Sequence, residues 1–127
     1  MINRFEDLEV WKLARVFVVD IYEITNKNGF ANDFRFRDQI RASAASIMDN
    51  IAEGFERDGN KEFIQFLYIA KGSSGETRSQ LYRALDLKYI DEEQHKKYLD
   101  KVTVISKQLS GFINYIKSSE NKGKKYK

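Results

Sequence analysis

At 127 residues, one domain is the expectation, with room for a sizeable core. The chain has no proline, where about six would be usual for this length, and no cysteine, which excludes disulfides, thiolate zinc sites and cysteine nucleophiles. Its formal net charge of +3 is unevenly held: from Lys117 onward five lysines and one glutamate give +4, which leaves the residues before them at −1.

Lack of proline favours long uninterrupted helices, because proline removes a backbone donor and clashes with the preceding turn. At the N-terminus Glu6 and Asp7 arrive before any apolar run, unlike a secretory signal. The longest apolar run in the first helix, Val16 to Val19, is far short of the ~20 residues that span a bilayer. A soluble, cytoplasmic protein is expected.

The first helix is expected from about Asp7 to Thr25. Val10, Leu13, Ala14, Phe17, Ile21 and Ile24 form one apolar stripe, and Trp11, Val18 and Tyr22 form a flanking one. Asn26-Lys27-Asn28-Gly29 stops it, since asparagine and glycine tolerate the left-handed backbone at a helix end. A connection over Phe30 to Asn32 leads to a second helix, about Asp33 to Arg57, with Asn32 or Asp33 as cap. Its seam is Ile40, Ala44, Ile47, Ile51 and Phe55, flanked by Ala42, Ala45, Ser46 and Ala52.

Asp58-Gly59-Asn60 reads as a tight turn, with Asn60 capping a third helix from Lys61 to about Leu87. Its seam runs through Phe63, Phe66 or Leu67, Ala70, Ser74, Thr77, Leu81 and Ala84. Gly72 and Gly75 cost about 1 kcal/mol each against alanine in a helix interior, and so point to close helix contact. Asp91 opens the fourth helix, with Glu92 and Glu93 favourable at its N-terminal end. Tyr98, Val102, Ile105, Leu109, Phe112 and Ile116 repeat as a heptad. The fold class is therefore all-α, an antiparallel up-down-up-down four-helix bundle over residues 1–119. Residues 120–127 are expected to be a basic, disordered tail. Apolar residues off the seams, Trp11, Ile64, Tyr68 and Ile69, call for a second interface, most simply a homo-oligomer.

No catalytic constellation is visible. A di-metal site in a bundle needs Glu-x-x-His motifs on two helices, and the one histidine, His95, falls in a charged segment that reads as solvated surface. No metal site and no cofactor is expected. Gly72-Ser73-Ser74-Gly75 lacks the preceding strand and in-register lysine of a phosphate loop. Asn50, Glu53, Ser73 and Glu76 read as a structural polar network. Reflection about the turn sets Glu76 opposite Arg41, as an ion pair that would fix register more than it stabilises.

The same reflection brings Arg78 and Arg83 near Arg35, Arg37 and Arg41, so one end of the central hairpin would be basic. Repeated in an oligomer, such a patch would neutralise several phosphates together. The tail lysines, Lys122, Lys124, Lys125 and Lys127, read either as a solubilising end or as a nucleic-acid-binding arm. Ordinary surface pairing with Asp38, Glu76 and Asp86 remains the alternative for the arginines.

One set of segments carries a family resemblance: Phe5 with Leu8-Glu9-Val10-Trp11 and Ala14; Asp38-Gln39-Ile40-Arg41 and Ala44-Ala45-Ser46-Ile47; Asn50-Ile51-Ala52-Glu53-Gly54 with Arg57; Lys61-Glu62-Phe63 and Phe66-Leu67; then Ala70, Gly72-Ser73 and Glu76. In these the chain resembles the small bacterial bundle proteins encoded within intervening sequences of 23S rRNA genes. The resemblance implies an antiparallel four-helix bundle assembled as a ring, a homopentamer, without enzymatic activity. A related accessory protein of diversity-generating retroelements binds nucleic acid and a reverse transcriptase. This chain departs from the pattern in lacking proline in the first connection and in its nearly neutral body. The expected function is RNA or ribonucleoprotein association; the alternative is a protein-interaction scaffold or accessory subunit that does not touch nucleic acid.

Overall fold

Five helices follow one another in a computed structural model that describes residues 2–125, with side chains over 2–120. They are α1 (Glu9–Thr25), α2 (Asn28–Asn32), α3 (Phe34–Glu56), α4 (Asn60–Asp86) and α5 (Glu92–Lys125). A single 3-10 turn, Phe5–Asp7, precedes them. Each long helix packs against its neighbours in the chain, and α5 returns to α1, which closes an up-down-up-down four-helix bundle. Among the described residues there is no strand, and no helix is long and apolar enough to cross a membrane.

Local chemistry sets the boundaries. The α1 helix ends where the Thr25 hydroxyl donates to the Ile21 carbonyl at 2.7 Å, and Asn28 takes a left-handed φ of 55°. The expected connection after it contains the short helix α2, which drives Phe30 fully into the core. The Asp33 carboxylate caps α3 by accepting from the Phe36 amide at 3.3 Å. At the next turn Gly59, with φ 93°, holds the cap position, so Asn60 is the first residue of α4 and not its cap. The α4 helix closes with Lys88 at φ 63° and the Tyr89 amide donating back to the Ala84 carbonyl, a glycine-type ending made without glycine. Asp91 and Gln94 then cap α5 reciprocally, each side chain accepting from the other's amide.

The core is the set of facing seams. Phe17, Ile21, Phe30, Ile40, Ile47, Ile51, Leu67, Leu81, Val102, Ile105, Leu109 and Ile113 are its largest fully buried side chains. In α5 the buried position is Ile113, whereas Phe112 sits half-buried with its edge against Phe63. From Tyr98 to Phe112 is two heptads, over which a straight helix drifts about 40° from a strict repeat. The inward face there falls between Phe112 and Ile113, and Ile116 is buried as its spacing requires. Trp11 and Ile64, expected off the seams, are buried. Tyr68 and Ile69 do remain exposed, together with Val16, Val19 and Val104.

Two glycine readings change. Gly72 and Gly75 are exposed, and a Cβ at either would meet nothing within 4 Å, so no close contact inside the chain explains them. The glycine that does permit close approach is Gly54 of α3, where a Cβ would lie 2.6 Å from the Phe66 Cβ of α4. The helical backbone of α5 also continues to Lys125, past the expected end near Ile116. Phe63 meets Phe112 across the α4–α5 seam, so the last turns of α5 run beyond the start of α4.

Candidate nucleic-acid interface

The basic end of the central hairpin is built where α2, the start of α3 and the end of α4 converge. Its foundation is aromatic. Phe30, Phe36 and Tyr89 pack with ring centroids 5.0 Å (Phe30–Phe36), 5.2 Å (Phe30–Tyr89) and 6.2 Å (Phe36–Tyr89) apart. The Tyr89 hydroxyl donates to the Asp33 carboxylate at 2.9 Å, while the other Asp33 oxygen caps α3. That bond, with desolvation and the Asp33 charge adding to it, holds the Tyr89 phenol above its ordinary pKa. Sequence reasoning missed Tyr89, because its partner lies 56 residues away.

On this base stand the arginines. Arg83 lays its guanidinium 4.2 Å from the centroid of Phe36. Arg35 and Arg83, with Asp33, Gln39 and Leu87, line an open depression of about 150 Å³. Arg37 lies 4.9 Å over the ring of Phe34, donating to Asp38 at 3.0 Å and to the Ala31 carbonyl at 3.4 Å. Arg41 is committed elsewhere: its Nε donates to the Thr25 hydroxyl at 2.8 Å, its Nη2 to the Asn26 side chain at 2.9 Å, and its guanidinium covers Tyr22 at 4.5 Å. Arg35, Arg78 and Arg83 are exposed and form no ion pair among the described residues.

The expected cluster is thus joined in part. Arg35 and Arg83 share one depression, Arg37 lies over Phe34 and reaches the Ala31 carbonyl of α2, and Arg41 ties α3 to the end of α1. Arg78 is exposed on α4, and it does not line the depression that Arg35 and Arg83 share. The side chains of Lys122, Lys124 and Lys125, and all of Lys127, lie outside the described residues.

The polar network divides as well. Asn50 donates to the Ser46 carbonyl and hydroxyl, and Ser46 meets the Ser73 hydroxyl across the α3–α4 seam at 2.9 Å. A second set links Ser43 to Thr77 and Gln80, and Gln80 donates to Glu76 at 3.3 Å. Glu53 stands apart in an exposed pair with Arg57 at 3.0 Å. The expected Glu76–Arg41 pair is absent: the Arg41 guanidinium turns away from α4 towards the end of α1, leaving Glu76 to its own helix.

His95 also corrects the reading of its segment. It is buried beneath Tyr82, with ring centroids 4.5 Å apart, and among the described residues its Nε2 has no hydrogen-bond partner. It falls three residues before Tyr98 on the inward stripe of α5, and that position was the signal for its burial. Among the described residues no group of three or more histidine, cysteine, aspartate or glutamate side chains is placed to hold a metal.

Residues 6–111 match the 23S rRNA-intervening sequence protein family, most of the chain. The chain belongs to that family. The match takes in Arg35, Arg37, Arg41, Arg78 and Arg83 and stops short of the C-terminal lysines. In structure the chain is similar to a Bacteroides thetaiotaomicron protein with unknown function from the S23 ribosomal protein family. The two agree with a TM-score of 0.75 at 29% identity, covering 82% of this chain and 97% of that one. Among curated proteins none matches. Neither the family's description nor that of the relative carries an enzymatic activity.

Proposed function

We propose that the chain is a non-enzymatic, self-assembling helical bundle of the cytoplasm that binds RNA through the arginine–aromatic end of α3 and α4. One observation carries the reading. Arg35 and Arg83, exposed and free of ion pairs among the described residues, flank a shared depression. Guanidinium forks at one end of a nearly neutral body are suited to phosphate oxygens. The family description, which concerns sequences within 23S rRNA genes, agrees with an RNA partner. Assembly as a homo-oligomer, a pentamer by resemblance, would repeat the patch around a ring and raise its charge.

A second reading has its own support. Leu13, Val16, Phe17, Val104 and Ile105 line an apolar groove of about 300 Å³ along the thinly packed α1–α5 edge. Val16 and Val19, at 56% and 54% exposed, extend it on the surface. That edge is the proposed self-association face, or the docking face of a scaffold that does not bind nucleic acid.

Fluorescence anisotropy with a structured rRNA fragment across a salt series tests the choice. The full chain, a chain ending at Ile116 and Arg35→Ala/Arg83→Ala are compared. Binding that weakens steeply with salt, survives truncation and loses about one to two units of salt slope in the double variant supports the RNA reading. Binding lost with the tail reduces it to a polycation effect, and no binding at low salt leaves the scaffold. Light scattering reports the oligomer in the same samples.

A further inference from the structure

We propose that the arginine–aromatic end takes single-stranded RNA in preference to duplex, with the exposed ring of Phe34 as the platform for one unstacked base. The inference rests on the RNA reading above and goes beyond it by assigning the form of the ligand and a residue that recognises it.

Phe34 is 63% exposed, and it is the one exposed phenylalanine among the nine in the chain. Every other phenylalanine is buried or half-buried. The position of Phe34 is nonetheless fixed. It is the first residue of α3, directly after Asp33, whose carboxylate is held by both the Phe36 amide and the Tyr89 hydroxyl. The guanidinium of Arg37 lies over the ring, and Arg37 is itself held by Asp38 and by the Ala31 carbonyl. The ring therefore presents open apolar surface on a rigid mount, with a cation over it. Such preorganisation reduces the ordering cost of a stacking contact.

Arg35, the residue after Phe34 in α3, lines a depression of about 150 Å³ together with Asp33, Phe36, Gln39, Arg83 and Leu87. That is below the ~300 Å³ at which small-molecule pockets begin. It is of a size for one phosphate group, with Arg35 and Arg83 on its walls and the Asp33 carboxylate already taken by the Phe36 amide and the Tyr89 hydroxyl. An aromatic face beside a cationic track is the arrangement by which proteins hold unpaired strands, the base on the ring and the backbone on the charges. Duplex RNA has no use for the ring. Its bases are stacked on both faces, and its accessible groove shows edges and 2′-hydroxyls. The arginines alone would serve either form, so Phe34 is the residue that separates them.

The test is anisotropy with a short single-stranded RNA carrying 2-aminopurine and with the duplex made from the same strand, at matched salt. The full chain, Phe34→Ala and Phe34→Trp are compared, with light scattering on each. Expected for the native chain are tighter binding of the single strand and a change in 2-aminopurine emission. Phe34→Ala should lose about 5- to 150-fold in single-strand affinity, keep its duplex affinity and abolish the emission change. Phe34→Trp should bind like the native chain, with its tryptophan emission quenched by the strand. Equal losses for both forms, or none for either, overturn the stacking role and leave a phosphate-only RNA site. A change of oligomer in Phe34→Ala, with affinity restored by concentration, makes Phe34 a contact between copies and also overturns the proposal. Failure of the native chain to bind either form removes the RNA reading and this inference with it.

Discussion

Alanine placed at three helical glycines should move stability in opposite directions. At Gly54 a new Cβ would lie 2.6 Å from the Phe66 Cβ and 3.1 Å from the Phe63 ring. The Phe66 Cβ is one bond from the α4 backbone, so rotating a side chain cannot relieve the overlap, and the α3–α4 seam must open. A gap of about 1 Å forfeits up to half of the dispersion well of each contact it separates. Overpacking of this severity costs about 3 kcal/mol, and the better helix propensity of alanine returns about 1 kcal/mol. The net loss is about 2 kcal/mol, or a fall of about 8 °C in Tm for a chain of this size. Gly72 and Gly75 face open space, so each alanine there should add about 1 kcal/mol and raise Tm by about 4 °C. Thermal melts of the three variants decide the matter, read with light scattering at each concentration. A Gly54→Ala protein as stable as the native one would refute the steric argument. A loss at Gly72 or Gly75 accompanied by a smaller oligomer would show that another copy covers that face.

Three further outcomes are expected. The raised Tyr89 pKa means that its neutral hydroxyl stabilises the fold, fully so below the ordinary tyrosine value of about 10, and decreasingly as pH rises through the folded value. Denaturant titrations at neutral and strongly alkaline pH should therefore show the native chain losing more stability than Tyr89→Phe, with equal slopes counting against the Asp33 bond. His95→Phe should keep the contact with Tyr82 and remove the unpartnered Nε2, adding about 1 kcal/mol by denaturation midpoint. A loss there would mean that Nε2 finds a partner in solution. Arg41→Ala should cost about 1–2 kcal/mol through the bonds to Thr25 and Asn26, yet weaken RNA binding less than Arg83→Ala in the same salt series.

Much of the bundle is legible in the sequence because burial leaves a periodic mark. Ile40, Ala44, Ile47 and Ile51 on α3 and Val102, Ile105 and Leu109 on α5 lie inside as their spacing requires. So does the stripe of α1 from Val10 to Ile24, except Leu13, which is half-buried in the groove against α5. The Asp33 cap and the Asp91 start are equally local, since each concerns a carboxylate and an amide within one turn. Where the reading failed, the deciding distance was not along the chain. Composition alone made the segment of His95 look solvated, but its place on the inward stripe buried it. Opposite charges and hairpin reflection suggested Glu76 with Arg41, whereas the neutral oxygens of Thr25 and Asn26 were closer.

By itself, the sequence determined the helix order, the inward stripes, the turns and the uneven placement of charge, because propensity, capping and periodicity act within a few residues. The tertiary structure decided which glycine is crowded and which are open. It also decided that Arg35 and Arg83 converge while Arg41 is drawn away, and that Phe34 is left bare on a rigid mount. These are questions of which surfaces meet across a seam, where a shift of one residue in register or a rotation of one side chain changes the partner without altering the pattern.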